Sequence, residues 1–255
     1  MNRWIGTTLC HVVVWALATH GGERKTMDLY LLIGQSNMAG RGKVEEQDRK
    51  PHPQVFTLNK EKAWVPAVDP IHFDKSIAGV GPGRAFGIAM AEHDPEARIG
   101  LVPCAVGGTS ITAWVPGVEH AKSKKHLYDD MLARLKVAQE SGTVKGILWH
   151  QGESDGKRTS QYMERLAALI AALREELGNP GLPFVAGLVE MDDRDGKEPR
   201  AINGILLKLP EVVPNTAVAS SEGLTTQDGT HFDSASQREL GKRFAEKMIE
   251  LQEKK

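Results

Sequence analysis

Short apolar runs recur along this chain, and each is closed by glycine or polar residues. Runs of this length, rich in leucine and β-branched residues, are typical of strands that are covered on both faces, as in a parallel sheet. The pattern predicts four buried parallel strands and two weaker ones. The four are Leu29 to Gly34, Ile99 to Pro103, Val144 to His150 and Pro183 to Val189; the weaker two are Gln54 to Leu58 and Thr216 to Ala219.

Segments with helical periodicity lie between these runs. Apolar residues from Leu166 to Leu177 follow the three-and-four spacing of an amphipathic helix, and Gly178 stands where a C-cap glycine is expected. A similar apolar face spans Leu127 to Leu135. The last helix is predicted to begin at Ser234, with Gln237 three places on in a capping-box pattern.

Alternating strands and helices predict an α/β fold in which helices cover both faces of one parallel sheet, a three-layer α/β/α sandwich. The 255 residues show no shift in composition that would divide them. We therefore expect one domain over residues 19–255. In such sheets, sites form beyond the carboxyl ends of the strands, so catalytic residues are expected directly after the strands.

The N-terminal segment, residues 1–18, has a different character. A positive start at Arg3 precedes a mostly apolar stretch that ends in Ala16-Leu17-Ala18, the pattern of a secretory signal. We expect it to be removed, which makes the protein secreted or periplasmic; an uncleaved anchor is the alternative. Of the two cysteines, Cys10 would leave with this segment and Cys104 would stay as a single thiol.

The overall balance of residues argues against several classes of function. A formal net charge of −1 gives no reason to expect nucleic acid or an anionic membrane as a partner. The mature chain is not expected to insert into a membrane. The sequence contains no CxxC pair and no HExxH helix, so neither a metal site nor a cofactor is expected. The sequence does not indicate an oligomeric state.

A serine follows the first predicted strand. Ser36 lies between the strand end and a possible helix start, where its hydroxyl and its backbone N–H can face one pocket. The alternative is that Ser36 only caps a helix. Two later strand ends offer hydrogen-bond donors of the kind that stabilise an oxyanion: the Gly107-Gly108 pair, which is equally consistent with a tight turn, and the side-chain amide of Gln151.

A possible acid–base pair stands before the final helix. Asp228 precedes His231 by three residues, so that a tight turn can bring both side chains to one side. Asp228 can then accept the Nδ1 proton of His231, which leaves Nε2 to take a proton from Ser36. The alternative is an Asx-turn at Asp228 with an incidental surface histidine.

Four motifs follow one another along the chain. They are GQSNMAGRG at residues 34–42, GGTS at 107–110, WHQGE at 149–153 and DGTH at 228–231. In this order they resemble the sialic-acid O-acetylesterase-like branch of the SGNH hydrolases, which includes the acetylxylan esterases of carbohydrate esterase family 6. The resemblance extends from Leu29 to the final helix and implies a flavodoxin-like α/β/α sandwich.

The resemblance also implies roles for individual residues. It makes Ser36 the nucleophile, His231 the base and Asp228 its orienting acid. The backbone N–H groups of Ser36 and Gly108, with the Gln151 side chain, would form the oxyanion hole. Glu153 could support His231 in place of Asp228, or it could brace the loop by hydrogen bonds. Of the two acids, we favour Asp228 as the partner of His231.

The expected function is the hydrolysis of acetyl or other short acyl esters on carbohydrates through a serine acyl-enzyme, with an acetylated carbohydrate as substrate. Candidate substrate-binding residues are Gln35, Asn37, Arg41 and Trp114; for Trp114, stacking on a sugar at the pocket rim and packing in the core are both open. One alternative is an esterase or lipase of the same fold that acts on other acyl esters. Another is a carbohydrate-binding protein that has lost catalysis.

Overall fold

A computed structural model describes residues 26–156, 159–190 and 201–254. The predicted signal segment, residues 1–18, lies outside this part of the chain. Within it, seven strands form one sheet. They are β1 (Met27–Gly34), β2 (Val55–Leu58), β3 (Trp64–Pro66), β4 (Ile99–Pro103), β5 (Gly142–His150), β6 (Phe184–Gly187) and β7 (Thr216–Ala219).

The sheet is parallel except at one edge. The spatial order is β3-β2-β4-β1-β5-β6-β7, and only β3 runs antiparallel to its neighbour. Five adjacent parallel strands, β4, β1, β5, β6 and β7, have the order 2-1-3-4-5 of flavodoxin-like folds when they alone are numbered along the chain, and β2 extends the sheet beside β4. All six predicted strands are confirmed with small shifts of their ends, and β3 is an additional edge strand. The predicted α/β/α architecture is confirmed.

Side chains of β1 supply both halves of the core. Leu29, Leu31 and Ile33 belong to one buried cluster, while Tyr30 and Leu32 belong to another on the opposite face. This is the alternation expected of a strand that is buried on both sides. Every residue from Leu29 to Ile33 is at most 2% exposed, so β1 is the central support of the fold.

Helices cover both faces of the sheet. They are α1 (Ser36–Ala39), α2 (Pro82–His93), α3 (Leu127–Gln139), α4 (Tyr162–Glu176), α5 (Ala201–Leu206), α6 (Leu209–Val212) and α7 (Ser234–Glu253). The two buried clusters place α3 and α4 on one face and α2 and α7 on the other. A Cβ at Gly241 would lie 2.3 Å from the Pro82 carbonyl oxygen, so glycine lets α7 approach α2 closely.

Two helix ends test the predicted caps. Gly178 follows α4 with a φ of 59°, the left-handed conformation of a C-cap glycine, as expected. The cap predicted for α7 is wrong, because Asp233 accepts the Ser236 N–H and is the N-cap. Ser234 instead donates its hydroxyl to the Lys43 carbonyl. Across the described residues, no helix combines the length and the apolar character needed to cross a membrane.

Candidate active site

The first strand ends in a sharp turn that leads directly into a serine. Gly34 has a φ of 129°, and a Cβ there would lie 2.1 Å from the His150 carbonyl oxygen, so the turn requires glycine. Helix α1 then begins at Ser36, directly beyond the carboxyl end of β1. The turn lies where the order of the parallel strands reverses, between β4 and β5. This is the position at which open α/β sheets form their ligand sites.

A tight turn before α7 brings an acid and a histidine to this serine. The side chain of Asp228 accepts the backbone N–H groups of Thr230 at 3.0 Å and His231 at 2.7 Å. Its second oxygen lies 2.7 Å from Nδ1 of His231. On the other side of the ring, Nε2 lies 3.1 Å from Oγ of Ser36. The Asx-turn and the acid–histidine pair, which are alternatives at the level of sequence, are thus formed together in one turn.

The charge state of Asp228 suits this arrangement. Partial burial acts to raise its pKa, but the hydrogen bonds from His231 and Thr230 outweigh it, so that the pKa lies below its ordinary value. An ionised Asp228 at neutral pH favours the His231 tautomer with its proton on Nδ1. Nε2 is then free to accept the proton of Ser36.

Asn37 connects the serine turn to the histidine turn. Its side-chain nitrogen donates to Oε1 of Glu153 at 2.6 Å and to the Thr230 carbonyl at 3.0 Å. Its oxygen accepts the Phe232 N–H at 3.1 Å and the Gln237 amide at 3.2 Å. Asn37 is fully buried, so the expectation that it contacts substrate is wrong. It holds the backbone on both sides of the histidine instead.

Glu153 takes part in this connection and not in the acid–histidine pair. One of its carboxylate oxygens accepts from Asn37, and the other is buried without a hydrogen-bond partner among the described residues. Of the two candidate acids, only Asp228 lies in hydrogen-bond contact with the His231 ring. Glu153 is connected to the histidine turn through Asn37, which also donates to the Thr230 carbonyl, and this contact agrees with the interpretation of Glu153 as a brace of the loop.

The glycine pair after β4 lies beside the serine. A Cβ on Gly107 would lie 3.4 Å from Cβ of Ser36 and 2.4 Å from the Arg41 guanidinium. Gly108 has a φ of 81°, and the space next to it is open. The glycine segment therefore lies close to the serine, and an oxyanion hole formed by the backbone N–H groups of Ser36 and Gly108 stays a prediction.

A buried ion pair holds this glycine segment in place. The Asp74 carboxylate accepts the Gly107 N–H at 2.9 Å and the Arg41 guanidinium at 2.7 Å. The two charged side chains are only 1% and 5% exposed. The expectation that Arg41 contacts substrate is therefore wrong, since its charge is used inside the protein. Asp74 is not among the residues predicted from the sequence, because nothing in its local sequence distinguishes it.

Gln151 lies at the predicted strand end but has other partners. Its side-chain nitrogen lies within hydrogen-bond distance of Gln35 Oε1 (3.1 Å), the Thr109 carbonyl (2.9 Å) and Asp155 Oδ2 (2.6 Å). Its oxygen accepts the hydroxyl of Tyr162 at 2.9 Å. The residue is fully buried, so the expectation that it donates to an oxyanion is not met in this structure.

Two further candidates are also part of the scaffold. Gln35 is 3% exposed, and its Oε1 accepts from Gln151 and from the Ser154 N–H at 3.4 Å, so its oxygen links neighbouring loops. Trp114 is 1% exposed and packs edge-on against Trp149 with ring centres 5.6 Å apart. The pocket-rim interpretation of Trp114 is wrong, because the ring is enclosed in the core.

The residues that the structure describes contain no cluster of three or more side chains that could hold a metal ion, counting histidine, cysteine, aspartate and glutamate.

His150, at the end of β5, is fully buried, and its Nε2 lies 3.0 Å from the Leu188 carbonyl. Burial lowers the pKa of His150, so the ring is neutral and serves the core.

Comparison with known proteins gives a consistent result. Residues 26–250 match the family model described as "Carbohydrate esterase, sialic acid-specific acetylesterase". Over 243 residues, the chain is 32% identical to the probable carbohydrate esterase At4g34215 of Arabidopsis thaliana. The aligned region covers 86% of this chain and 88% of that protein.

Solved structures share the fold. The structure of the Arabidopsis protein has a TM-score of 0.75 at 28% identity and covers 88% of this chain and 98% of that one. The structure of NanS has a TM-score of 0.67 at 16% identity, and the match covers 88% of this chain and 97% of NanS. A carbohydrate acetylesterase from Xanthomonas citri has a TM-score of 0.66 at 22% identity, covering 88% and 56%. The chain therefore belongs to the carbohydrate esterase family of sialic acid-specific acetylesterases, and it is a carboxylic ester hydrolase.

Proposed function

We propose that the protein is a serine acetylesterase that removes acetyl groups from carbohydrates through an acyl-enzyme on Ser36. The observation that carries this proposal is the chain of two contacts from Asp228 to His231 and from His231 to Ser36. A hydroxyl, an imidazole and a carboxylate in this order are the arrangement that activates a serine for attack on a carbonyl.

In the proposed reaction, His231 Nε2 takes the proton of Ser36 as Oγ attacks the ester carbon. The negative charge that develops on the carbonyl oxygen is stabilised by the backbone N–H groups of Ser36 and Gly108. The sugar hydroxyl leaves with the proton from His231, and the acetyl group stays on Oγ. Water, deprotonated by His231, then attacks this ester and releases acetate, which restores the free serine.

The match to a family of acetylesterases supports acetyl as the acyl group. The same family supports an acetylated carbohydrate as the substrate. We also propose, from the residues 1–18 pattern, that the protein is exported and acts as one domain on carbohydrates outside the cytoplasm. No step of the proposed reaction requires a metal or a cofactor.

The test compares p-nitrophenyl acetate hydrolysis by the full chain with that of Ser36→Ala and of Ser141→Ala. Ser141 is a matched control because it directly precedes β5, at the edge of the sheet opposite to Ser36. We expect the Ser36 variant to lose about 10⁵- to 10⁶-fold in kcat and the control to be unaffected. Covalent labelling of Ser36 by a fluorophosphonate provides a second readout. Equal activity of wild type and Ser36→Ala would overturn the mechanism.

Two outcomes would favour a different function. A higher kcat/KM for long-chain than for acetyl esters would point to an esterase of other substrates. Sugar binding by a protein that neither hydrolyses acetyl esters nor reacts with the fluorophosphonate would point to a carbohydrate-binding protein.

A further inference from the structure

A buried carboxylate that the proposed mechanism does not use contacts the chain just after the glycine pair. Asp155 is 2% exposed and is the last residue of the short turn Glu153–Asp155 that follows β5. Its Oδ1 accepts the Ser110 hydroxyl at 2.6 Å, and its Oδ2 accepts the Ile111 N–H at 2.9 Å. These partners lie 45 and 44 positions earlier in the chain. Hydrogen bonds of this kind, made away from water, fix one segment against another.

Gln151 connects Asp155 to one further residue of the same segment. Its side-chain nitrogen lies 2.6 Å from Oδ2 of Asp155 and 2.9 Å from the Thr109 carbonyl. Its side-chain oxygen accepts the Tyr162 hydroxyl, which sets the orientation of the amide. Residues 109–111 are therefore all connected to Asp155, the first of them through Gln151.

The glycine pair lies between this anchor and a second one. On the other side, the Asp74 carboxylate accepts the Gly107 N–H. The Thr109 hydroxyl donates to the Val106 carbonyl at 2.9 Å and closes the turn across the pair. Gly107 and Thr109 are buried, whereas Gly108 is exposed and has open space beside it. Gly108 is thus the residue of this turn at which a substrate atom can approach the backbone.

A pair of glycines needs such anchors if it is to donate to an oxyanion. Glycine has more conformational freedom than any other residue, so two in succession do not hold an N–H in one direction by themselves. An oxyanion hole stabilises the transition state only if its donors already point to the place where the charge develops. Small errors in that geometry are costly for the rate.

We infer that Asp155 is a positioning residue of the esterase, which holds residues 109–111 so that the Gly108 N–H faces the developing oxyanion. This inference rests on the proposed function and adds a residue on which its rate depends. Asp155 acts through the segment that it holds and not on the reacting atoms. The loop after β5 then supports both parts of the site, because Glu153 accepts from Asn37 between the serine and histidine turns.

The test measures kcat and KM for p-nitrophenyl acetate per active site, with the sites counted by complete titration with a fluorophosphonate. We expect Asp155→Ala to lose about 10²-fold in kcat, as for the loss of an oxyanion donor, and to keep KM within about threefold. Asp155→Asn keeps an oxygen for Ile111 and offers an amide to the Ser110 hydroxyl. It should therefore recover part of the rate and lose only about tenfold.

A transition-state analogue gives a readout that a merely structural role would not change. Ser36 Oγ adds to the carbonyl carbon of 2,2,2-trifluoroacetophenone, the carbonyl oxygen becomes the oxyanion, and His231 takes the serine proton. No group leaves, so the inhibition constant reports on the stabilisation of the oxyanion. We expect this constant to rise in each Asp155 variant by about the factor by which kcat/KM falls.

Two further variants keep the test valid if Asp155→Ala does not fold. Ser110→Ala removes one partner of Asp155 at a partly exposed position, and we expect a loss of about fivefold in kcat with a matching rise of the inhibition constant. Asp94→Ala is the matched control. The Asp94 carboxylate accepts the Glu96 N–H at 3.0 Å, near the amino end of β4 and at the edge of the sheet opposite to Ser36. This variant should behave as wild type.

The possible failures can be told apart. Wild-type kcat per active site in both Asp155→Asn and Ser110→Ala would overturn the inference. A lower kcat with an unchanged inhibition constant, or a higher KM alone, would also overturn it, because Asp155 would then act elsewhere than on the oxyanion. If wild type neither hydrolysed p-nitrophenyl acetate nor reacted with the fluorophosphonate, the proposed function itself would fail.

Discussion

Nε2 of His231 lies 3.1 Å from Oγ of Ser36, although 195 positions separate the two residues in the sequence. The distance is maintained by Asn37, which follows the serine and binds the backbone of both neighbours of the histidine. The serine turn and the histidine turn are thus joined by a buried side chain that does not contact either reacting atom.

The role of Asp228 can be separated from that of Glu153 by two matched substitutions. In Asp228→Asn an amide replaces the acceptor of the Nδ1 proton, which favours the tautomer with the proton on Nε2. We expect kcat for p-nitrophenyl acetate to fall about 10³- to 10⁴-fold. Glu153→Gln keeps an oxygen for Asn37 and is expected to cost less than about tenfold. A larger loss in the Glu153 variant would show that the acid is assigned wrongly.

Removal of the Asn37 side chain should destabilise the protein and impair catalysis together. Asn37→Ala breaks four hydrogen bonds at a fully buried position. We expect a loss of about 2–4 kcal/mol in the free energy of unfolding, measured in urea, with a lower kcat in the folded fraction. Asn59→Ala is the control, since its Oδ1 accepts only the Ala63 N–H from the residues that the structure describes. Equal stability of both variants would contradict a special role for Asn37.

The Arg41–Asp74 pair should affect both stability and kcat. Asp74→Asn leaves the buried guanidinium without its counter-charge, and we expect a loss of about 3–5 kcal/mol in unfolding free energy. Replacing both residues, as Arg41→Met with Asp74→Leu, should recover most of that loss, because no buried charge remains.

The same double variant tests whether Asp74 positions the glycine segment. In the double variant the Gly107 N–H has no carboxylate acceptor, so we expect kcat to stay low while the unfolding free energy recovers. The measurement compares urea denaturation with the kcat of active sites counted by fluorophosphonate titration. If kcat recovered along with stability, Asp74 would have only a structural role.

The pH dependence of stability should contain a contribution from Asp69. Burial raises its pKa from 3.8 to about 7, with Asp48 acting in the same direction and Arg84 and Arg238 opposing it. Between these two pH values the folded protein holds a proton that the unfolded chain has released, so this contribution to stability falls as pH rises from about 4 to 7.

Asp69→Asn removes this titration with little change of shape. The difference in unfolding free energy between the variant and wild type should increase by a few kcal/mol, in favour of the variant, as pH rises from 4 to 8. One pKa unit corresponds to about 1.4 kcal/mol. Thermal or urea unfolding across this range gives the difference directly. Parallel curves for the two proteins would show that Asp69 titrates normally.

The sequence alone determined the sheet and the ordered motifs. Alternation of short apolar runs with amphipathic segments depends on local periodicity, which is why strands β1, β4, β5 and β6 could be placed. The short spacing between Asp228 and His231 likewise limits the geometry, since a turn of three residues brings the two side chains to one side. These features are set by interactions between residues that are close in the chain.

The tertiary structure decided which polar side chains remain available for chemistry. Asn37, Arg41 and Gln151 all stand in motifs that follow strands, but each has partners on a segment distant in sequence. Asp74 is the opposite case: no sequence motif contains it, but its carboxylate accepts the N–H of Gly107, which lies 33 positions further along the chain. Hydrogen bonds and burial at such positions depend on how distant segments pack, and local sequence carries no record of that packing.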